Sequence, residues 1–117
     1  MIEVREYVDA RGHIPYRDWI VQLDITPRVR IITAVLRMEN GNFSAAKSVG
    51  AGLSELRLDF GPGYRVYFGK DGEQLVILLG GGSKRRQQAD IQTAQVLWAE
   101  YKQRKRENNF KMRKQEN

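Results

Sequence analysis

The spacing of apolar residues along the chain switches from two to about 3.6 and back, and each switch marks a predicted element. Ile2, Val4 and Val8 alternate with Glu3 and Arg5, a short first strand that breaks at Asp9 to Gly12. Pro15 suits the first turn of a helix, and Tyr16, Trp19, Ile20 and Leu23 follow it as one apolar stripe. Thr26 and Pro27 repeat the start signal, after which Val29, Ile32 and Leu36 form a second stripe that ends at Asn40-Gly41. These two segments read as a helical hairpin. Small and polar residues from Asn42 to Gly52 predict a loop anchored by Phe43 and Val49, with Lys47 as an exposed cation. Two alternating strands, Leu53 to Phe60 and Tyr64 to Gly69, flank Gly61-Pro62-Gly63. Asp71-Gly72 is a hairpin signal, and the unbroken apolar run Leu75 to Leu79 reads as a central strand. Gly80 to Gly82 are expected to end that strand and Ser83 to cap a final helix carrying the stripe Ile91, Ala94, Leu97, Trp98 and Tyr101. The order βααβββα predicts an α+β domain with its helices on one face of a small, mostly antiparallel four-stranded sheet.

Alternation also sorts the polar residues. Glu55, Arg57 and Asp59 point away from Leu56, Leu58 and Phe60, while Arg65 and Tyr67 point away from Tyr64, Val66 and Phe68. If the two strands pair with their apolar sides together, Arg57, Arg65 and Tyr67 share the opposite surface, which is expected to hold phosphate. Register decides how close they come.

Composition narrows the function classes. A chain of 117 residues has room for one modest core. With no linker-like tract, residues 1–101 read as one domain and residues 102–117 as a basic extension, whose apolar residues are Phe110 and Met112. There is no signal-peptide pattern and no apolar run of membrane-spanning length, so a cytoplasmic protein with no membrane partner is expected. The lack of cysteine excludes disulfides, thiol catalysis and thiolate metal sites. A single histidine, His13, cannot build a multi-histidine centre, so neither a metal nor a small-molecule cofactor is expected. The net charge of +6 is concentrated late: residues 1–83 carry ten Lys/Arg and ten Asp/Glu, residues 84–117 ten and four. Such a field suits a polyanion, although a terminal charge run is also what a solvated tail looks like.

The motifs together resemble a known family. Tyr16 to Trp19 on the first helix, ELR at Glu55 to Arg57, GPGYRVYF at Gly61 to Phe68, LLGGGSKRRQ at Leu78 to Gln87 and DI at Asp90-Ile91 are similar in order and spacing to the HigB-like addiction-module killer proteins. These belong to the RelE/ParE superfamily of type II toxin-antitoxin toxins, and the resemblance covers roughly residues 1–101. It implies a compact toxin domain made beside a small helix-turn-helix antitoxin. RelE-like members cut messenger RNA in the ribosomal A site without a metal, whereas ParE-like members share the fold and poison DNA gyrase. This chain departs from the pattern at Gly82-Ser83, where an acidic residue often precedes the lysine, at the extra basic Arg85 and Arg86, and in its longer tail.

Metal-free RNA cleavage needs a base for the ribose 2′-hydroxyl, positive charge on the phosphorane-like transition state and an acid for the leaving 5′-oxygen. The resemblance implies Arg65 as the functional GYR arginine and Arg57 as the second sheet arginine. A guanidinium fork can grip a phosphate in two places, and the structural alternative for Arg65 is a cross-strand salt bridge to Glu55 or Asp59. Lys84, at the strand-to-helix turn, is placed to move protons or stabilise charge, with Arg85 as its alternative. Tyr67, read as an exposed strand tyrosine, can stack on a base, donate a proton or simply pack. Lys47, Arg85, Arg86 and Gln87 are the expected RNA contacts; Glu55 is a lesser candidate base, and Trp19 and Trp98 are read as core. Three readings stay open: a ribosome-dependent endoribonuclease acting on mRNA, a non-enzymatic gyrase inhibitor working through its helical hairpin, and an inactive relative that binds nucleic acid or antitoxin.

Overall fold

The computed structural model describes residues 1–116, and the side chains of residues 1–109; Phe110 and Met112 lie outside the described side chains. The elements are β1 (Glu3–Glu6), α1 (Pro15–Ile20), α2 (Ile25–Glu39), β2 (Ala46–Gly50), β3 (Leu53–Leu58), β4 (Tyr64–Asp71), β5 (Leu75–Ser83), a 3₁₀ turn over Lys84–Arg86, and α3 (Gln87–Glu116). The sheet has five strands in the order β1-β5-β4-β3-β2, antiparallel throughout except that β1 runs parallel to β5. The extra strand is β2, which forms inside the expected loop. Its sequence AKSVG carries little β signal of its own, and it gains its order by pairing with β3 through a tight turn at Gly50-Ala51-Gly52, all three at positive φ.

The alternating strands bury both of their faces, which corrects the expected one-sided packing. One core joins Leu56, Leu58, Val66, Phe68, Val76 and Leu78 to α1 and α2 through Tyr16, Ile20, Ile31, Val35 and Met38. The other joins Leu53, Tyr67, Ile77 and Leu79 to α3 through Ala94 and Trp98. Trp98 sits in this second core as expected, and Trp19 is partly buried against the first. The glycine run at the end of β5 does not end the strand, which continues to Ser83. A side chain at Gly81 would overlap the ring of Trp19, so a glycine is what lets α1 close onto the sheet there.

Helix α2 shows a second departure. Its buried residues are Ile31, Val35 and Met38, whereas the stripe Val29, Ile32 and Leu36 faces solvent. Helix α3 continues past the expected domain end at Tyr101, and part of that continuation is held to the body. The Tyr101 hydroxyl and the Lys105 ammonium both donate to Asp71, the latter at 2.7 Å, and Arg104 donates to the Val8 carbonyl at 2.7 Å. Two of the tail's cations are therefore engaged within the protein. No helix among the described residues is long and apolar enough to cross a membrane.

Candidate functional site

Strand register brings the two sheet arginines face to face. Arg57 lies opposite Arg65, and Arg65 opposite Gly82; one step along, Lys47 lies opposite Glu55, Glu55 opposite Tyr67, and Tyr67 opposite Gly80. Like charges directly opposite each other are unfavourable on a sheet unless something compensates them. Glu55 compensates them. It is 0% exposed and accepts from Arg57 Nε at 2.7 Å and, on both oxygens, from Gln87 Nε2 at 3.0 and 2.9 Å. Arg65 Nε stands 3.7 Å from the same carboxylate. Its Nη1 donates to the Tyr64 carbonyl at 3.1 Å and lies 3.8 Å from Asp59. Arg65 is thus only loosely paired: 4% exposed, with a buried Nε that has no acceptor.

The expected open surface is largely covered, because the first turns of α3 lie across it. Tyr67, read as exposed, is 0% exposed, and its hydroxyl has no hydrogen-bond partner. Burial pushes its pKa up to about 12, with the nearby charges of Glu55 and Asp90 adding to the rise, so its phenol keeps its proton at neutral pH. An enclosed ring offers no face for a nucleobase here. Arg57 is half-buried, Gln87 turns inward to Glu55, and Lys47, Lys84, Arg85 and Arg86 are exposed.

The β3–β4 turn brings Gly63 against the start of the 3₁₀ turn. The backbone N–H of Lys84 donates to the Gly63 carbonyl at 2.6 Å, which ties the start of the 3₁₀ turn to the glycine hairpin. Gly63 has φ +75°, and a Cβ placed there would sit 3.2 Å from Lys84 Cβ and 3.7 Å from Arg65 Nη1. A glycine here lets Arg65 and the stem of Lys84 close onto the turn. Sequence reasoning singled out both cations but missed this glycine, whose signal was only a turn motif.

Asp90 is a second residue that the sequence did not mark for a role. Its Oδ2 is buried without a partner and occupies the space a side chain at Gly82 would take, while Oδ1 lies 3.8 Å from Arg86 Nε. Burial raises its pKa, and Arg86 only partly opposes this. A raised folded-state pKa means that the ionised form is disfavoured in the fold, a cost present at neutral pH and relieved as pH falls through the folded pKa. Asp90→Asn is therefore expected to raise the melting temperature at pH 7, with the gain shrinking to nothing below about pH 4, near the ordinary carboxylate range. Thermal melts of both proteins across pH 3 to 8 check this; a gain that grows toward acid would contradict it.

His13 is exposed and pairs with Asp9 at 3.8 Å in the loop before α1. Among the described residues no group of three His, Cys, Asp or Glu side chains is arranged to hold a metal ion.

Residues 18–102 match the family described as Phage derived protein Gp49-like (DUF891). An uncharacterized protein of Haemophilus influenzae (strain ATCC 51907 / DSM 11121 / KW20 / Rd) is 40% identical over 91 residues, which span 77% of this chain and 92% of that protein. The match covers α2, β2 to β5, both sheet arginines, Gly63 and α3 as far as Lys102. The chain belongs to the Gp49-like family, a phage-derived family associated with the toxins of toxin-antitoxin systems.

Proposed function

We propose that this protein is the toxin of a type II toxin-antitoxin pair, HigB-like within the RelE/ParE superfamily, and that it cleaves messenger RNA on the ribosome without a metal. The observation that carries this reading is the pair of cations at Gly63, where Arg65 and Lys84 close on a position that a larger residue would crowd. A scissile phosphate bound beside Gly63 would draw on Arg65, whose nearest carboxylates stand at 3.7 and 3.8 Å, and on the exposed side chain of Lys84. Arg57, directly opposite Arg65, adds a second guanidinium.

In the reaction the ribose 2′-oxygen forms a bond to phosphorus and the bond from phosphorus to the 5′-oxygen breaks. The 2′-hydroxyl loses its proton and the 5′-oxygen gains one. Arg65 and Arg57 stabilise the charge on the phosphorane-like transition state, and Lys84 serves the proton transfer. Tyr67, enclosed beneath α3, backs the site from the core and does not meet the substrate. Glu55 has both oxygens occupied by Arg57 and Gln87 and serves as the counter-charge that holds the arginines, not as the base. Lys47, Arg85 and Arg86 are exposed cations and serve as RNA contacts. The ribosome supplies the in-line orientation, which is a large share of any such barrier. A cognate helix-turn-helix antitoxin is the controlling partner.

Mapping the 5′ ends of cellular RNA after induced expression tests the reading. The expected result is new ends inside translated messages, carrying 5′-hydroxyl groups, with untranslated RNA spared. One observation favours a ParE-like gyrase inhibitor instead, namely the solvent-facing apolar stripe on α2. Intact messages together with DNA breaks or lost supercoiling would decide for it.

A further inference from the structure

Two arginines of α2 carry charge that no carboxylate answers. Among the described residues neither Arg30 nor Arg37 forms an ion pair, in contrast to Arg17 on Glu6, Arg57 on Glu55 and Arg104 on Glu100. Both are exposed, and their spacing of two helical turns puts them on one face of the helix. There, with Ala34, Leu58 and Phe60, they line a cavity of about 210 Å³. Each of four larger cavities includes at least one Asp or Glu in its lining, whereas this one has two cations and no anion.

The Arg30 guanidinium lies 3.6 Å over the Phe60 ring. A phenyl ring attracts a cation but has no net charge, so the stack fixes the plane of the guanidinium without neutralising it. Arg30 therefore loses less conformational entropy when its donors grip an oxyanion. Phe60 also belongs to the turn at the proposed reaction centre. Its carbonyl accepts from the Gly63 N–H at 3.0 Å, and Gly63 stands against Arg65 and Lys84. Asp59, which precedes Phe60, lies 3.8 Å from Arg65 and takes no part in the cavity's lining.

We propose that Arg30 and Arg37 form a second phosphate-binding subsite for the RNA strand being cut, reached from Arg65 and Lys84 across the Phe60–Gly63 turn. The identity of the strand rests on the ribonuclease reading given above. Small-molecule pockets begin at roughly 300 Å³, so this smaller cavity suits one charged group of a polymer better than a free nucleotide. Two fork-shaped donors match the oxygens of a phosphate. A strand held both here and at Gly63 has less freedom to leave the in-line arrangement. The subsite binds and orients the strand and does not touch the reacting atoms.

Binding and cleavage are measured separately for wild type, Arg30→Gln/Arg37→Gln and Arg30→Lys/Arg37→Lys, with circular dichroism as the folding control. The binding probe is a single-stranded 2′-O-methyl oligoribonucleotide, which lacks the hydroxyl needed for cleavage, titrated between about 50 and 200 mM salt. The glutamine pair is expected to bind about 10- to 100-fold more weakly at low salt, with a slope of log affinity against log salt smaller by about 1.4, or about 0.7 per lost phosphate contact. The lysine pair keeps both charges and should keep the slope, which a merely structural role would not move. On programmed ribosomes the glutamine pair should raise KM in the same proportion and leave kcat unchanged. Unchanged affinity and slope in a folded glutamine pair overturn the subsite, whether or not wild type cuts messages. If KM on ribosomes rises in that case, the two arginines contact ribosomal RNA and not the message. Oligonucleotide binding that needs both arginines, in a wild type that cuts no message, keeps the subsite and removes the nuclease reading.

Discussion

Arg65→Ala is expected to lower ribosome-dependent RNA cleavage by about 10²- to 10³-fold, the usual effect of removing one well-placed donor from a charge-stabilising site. Arg65 stands beside Gly63, and among the described residues its carboxylate partners lie at 3.7 and 3.8 Å, so its guanidinium is not committed to a short ion pair. Arg65→Lys keeps the charge but loses the fork, and is expected to recover only a minor part of the activity. Arg57→Ala should cost less, because Arg57 already donates to Glu55 at 2.7 Å. The fold should survive the loss of Arg65, since Glu55 keeps its bonds to Arg57 and Gln87. Single-turnover cleavage on programmed ribosomes, with circular dichroism as the folding control, makes the measurement. A folded Arg65→Ala protein that cuts at the wild-type rate would remove Arg65 from the chemistry.

Glu55→Ala is expected to have the largest effect on stability, about 3–5 kcal/mol, the cost of breaking a buried ionic network from one side. Glu55 has no solvent exposure and joins β3, β4 and α3 by holding Arg57, facing Arg65 and accepting both Gln87 bonds. Its removal leaves two opposed guanidiniums on neighbouring strands, one of them buried. Gln87→Ala removes a single neutral donor and should cost much less, and Arg57→Ala leaves only a half-exposed position empty. Urea denaturation at pH 7 measures the series. A Glu55→Ala protein within about 0.5 kcal/mol of wild type, the range of ordinary surface substitutions, would show that the carboxylate is not the counter-charge of the site.

Several features were legible because they depend only on neighbours in the chain. The alternation that separates Arg57 and Arg65 from Leu56 and Val66 is a property of extended backbone, and the glycine hairpin at Gly61-Pro62-Gly63 is turn chemistry. With both strands alternating and the turn set, the two arginines had to share a face. The cations Lys47, Lys84, Arg85 and Arg86 were marked by residue type alone. Glu55 was weighed as a base, but its place as the hub between two arginines and Gln87 needed the approach of α3, 32 residues further along.

Other features were not legible because they are set by contacts between distant segments. Strand β2 has little intrinsic signal and exists because β3 offers it an edge. The two stripes of α2 look alike in sequence, and nothing local says that Ile31, Val35 and Met38 face the sheet while Val29, Ile32 and Leu36 do not. Tyr67 alternates like an outward residue and is nonetheless enclosed, because α3 crosses the sheet on that side.

By itself, then, the sequence determined the strand faces, the helical segments, the shared side of Arg57, Arg65 and Tyr67, and the basic turn at Lys84. Tertiary structure alone decided that this side is roofed by α3, that Arg65 and Lys84 both flank Gly63, and that one apolar seam of α2 is left outside. The physical reason is range. Periodicity and turn propensity act over a few residues and specify which way each side chain points, whereas burial and ion pairing depend on which distant segment arrives to cover it.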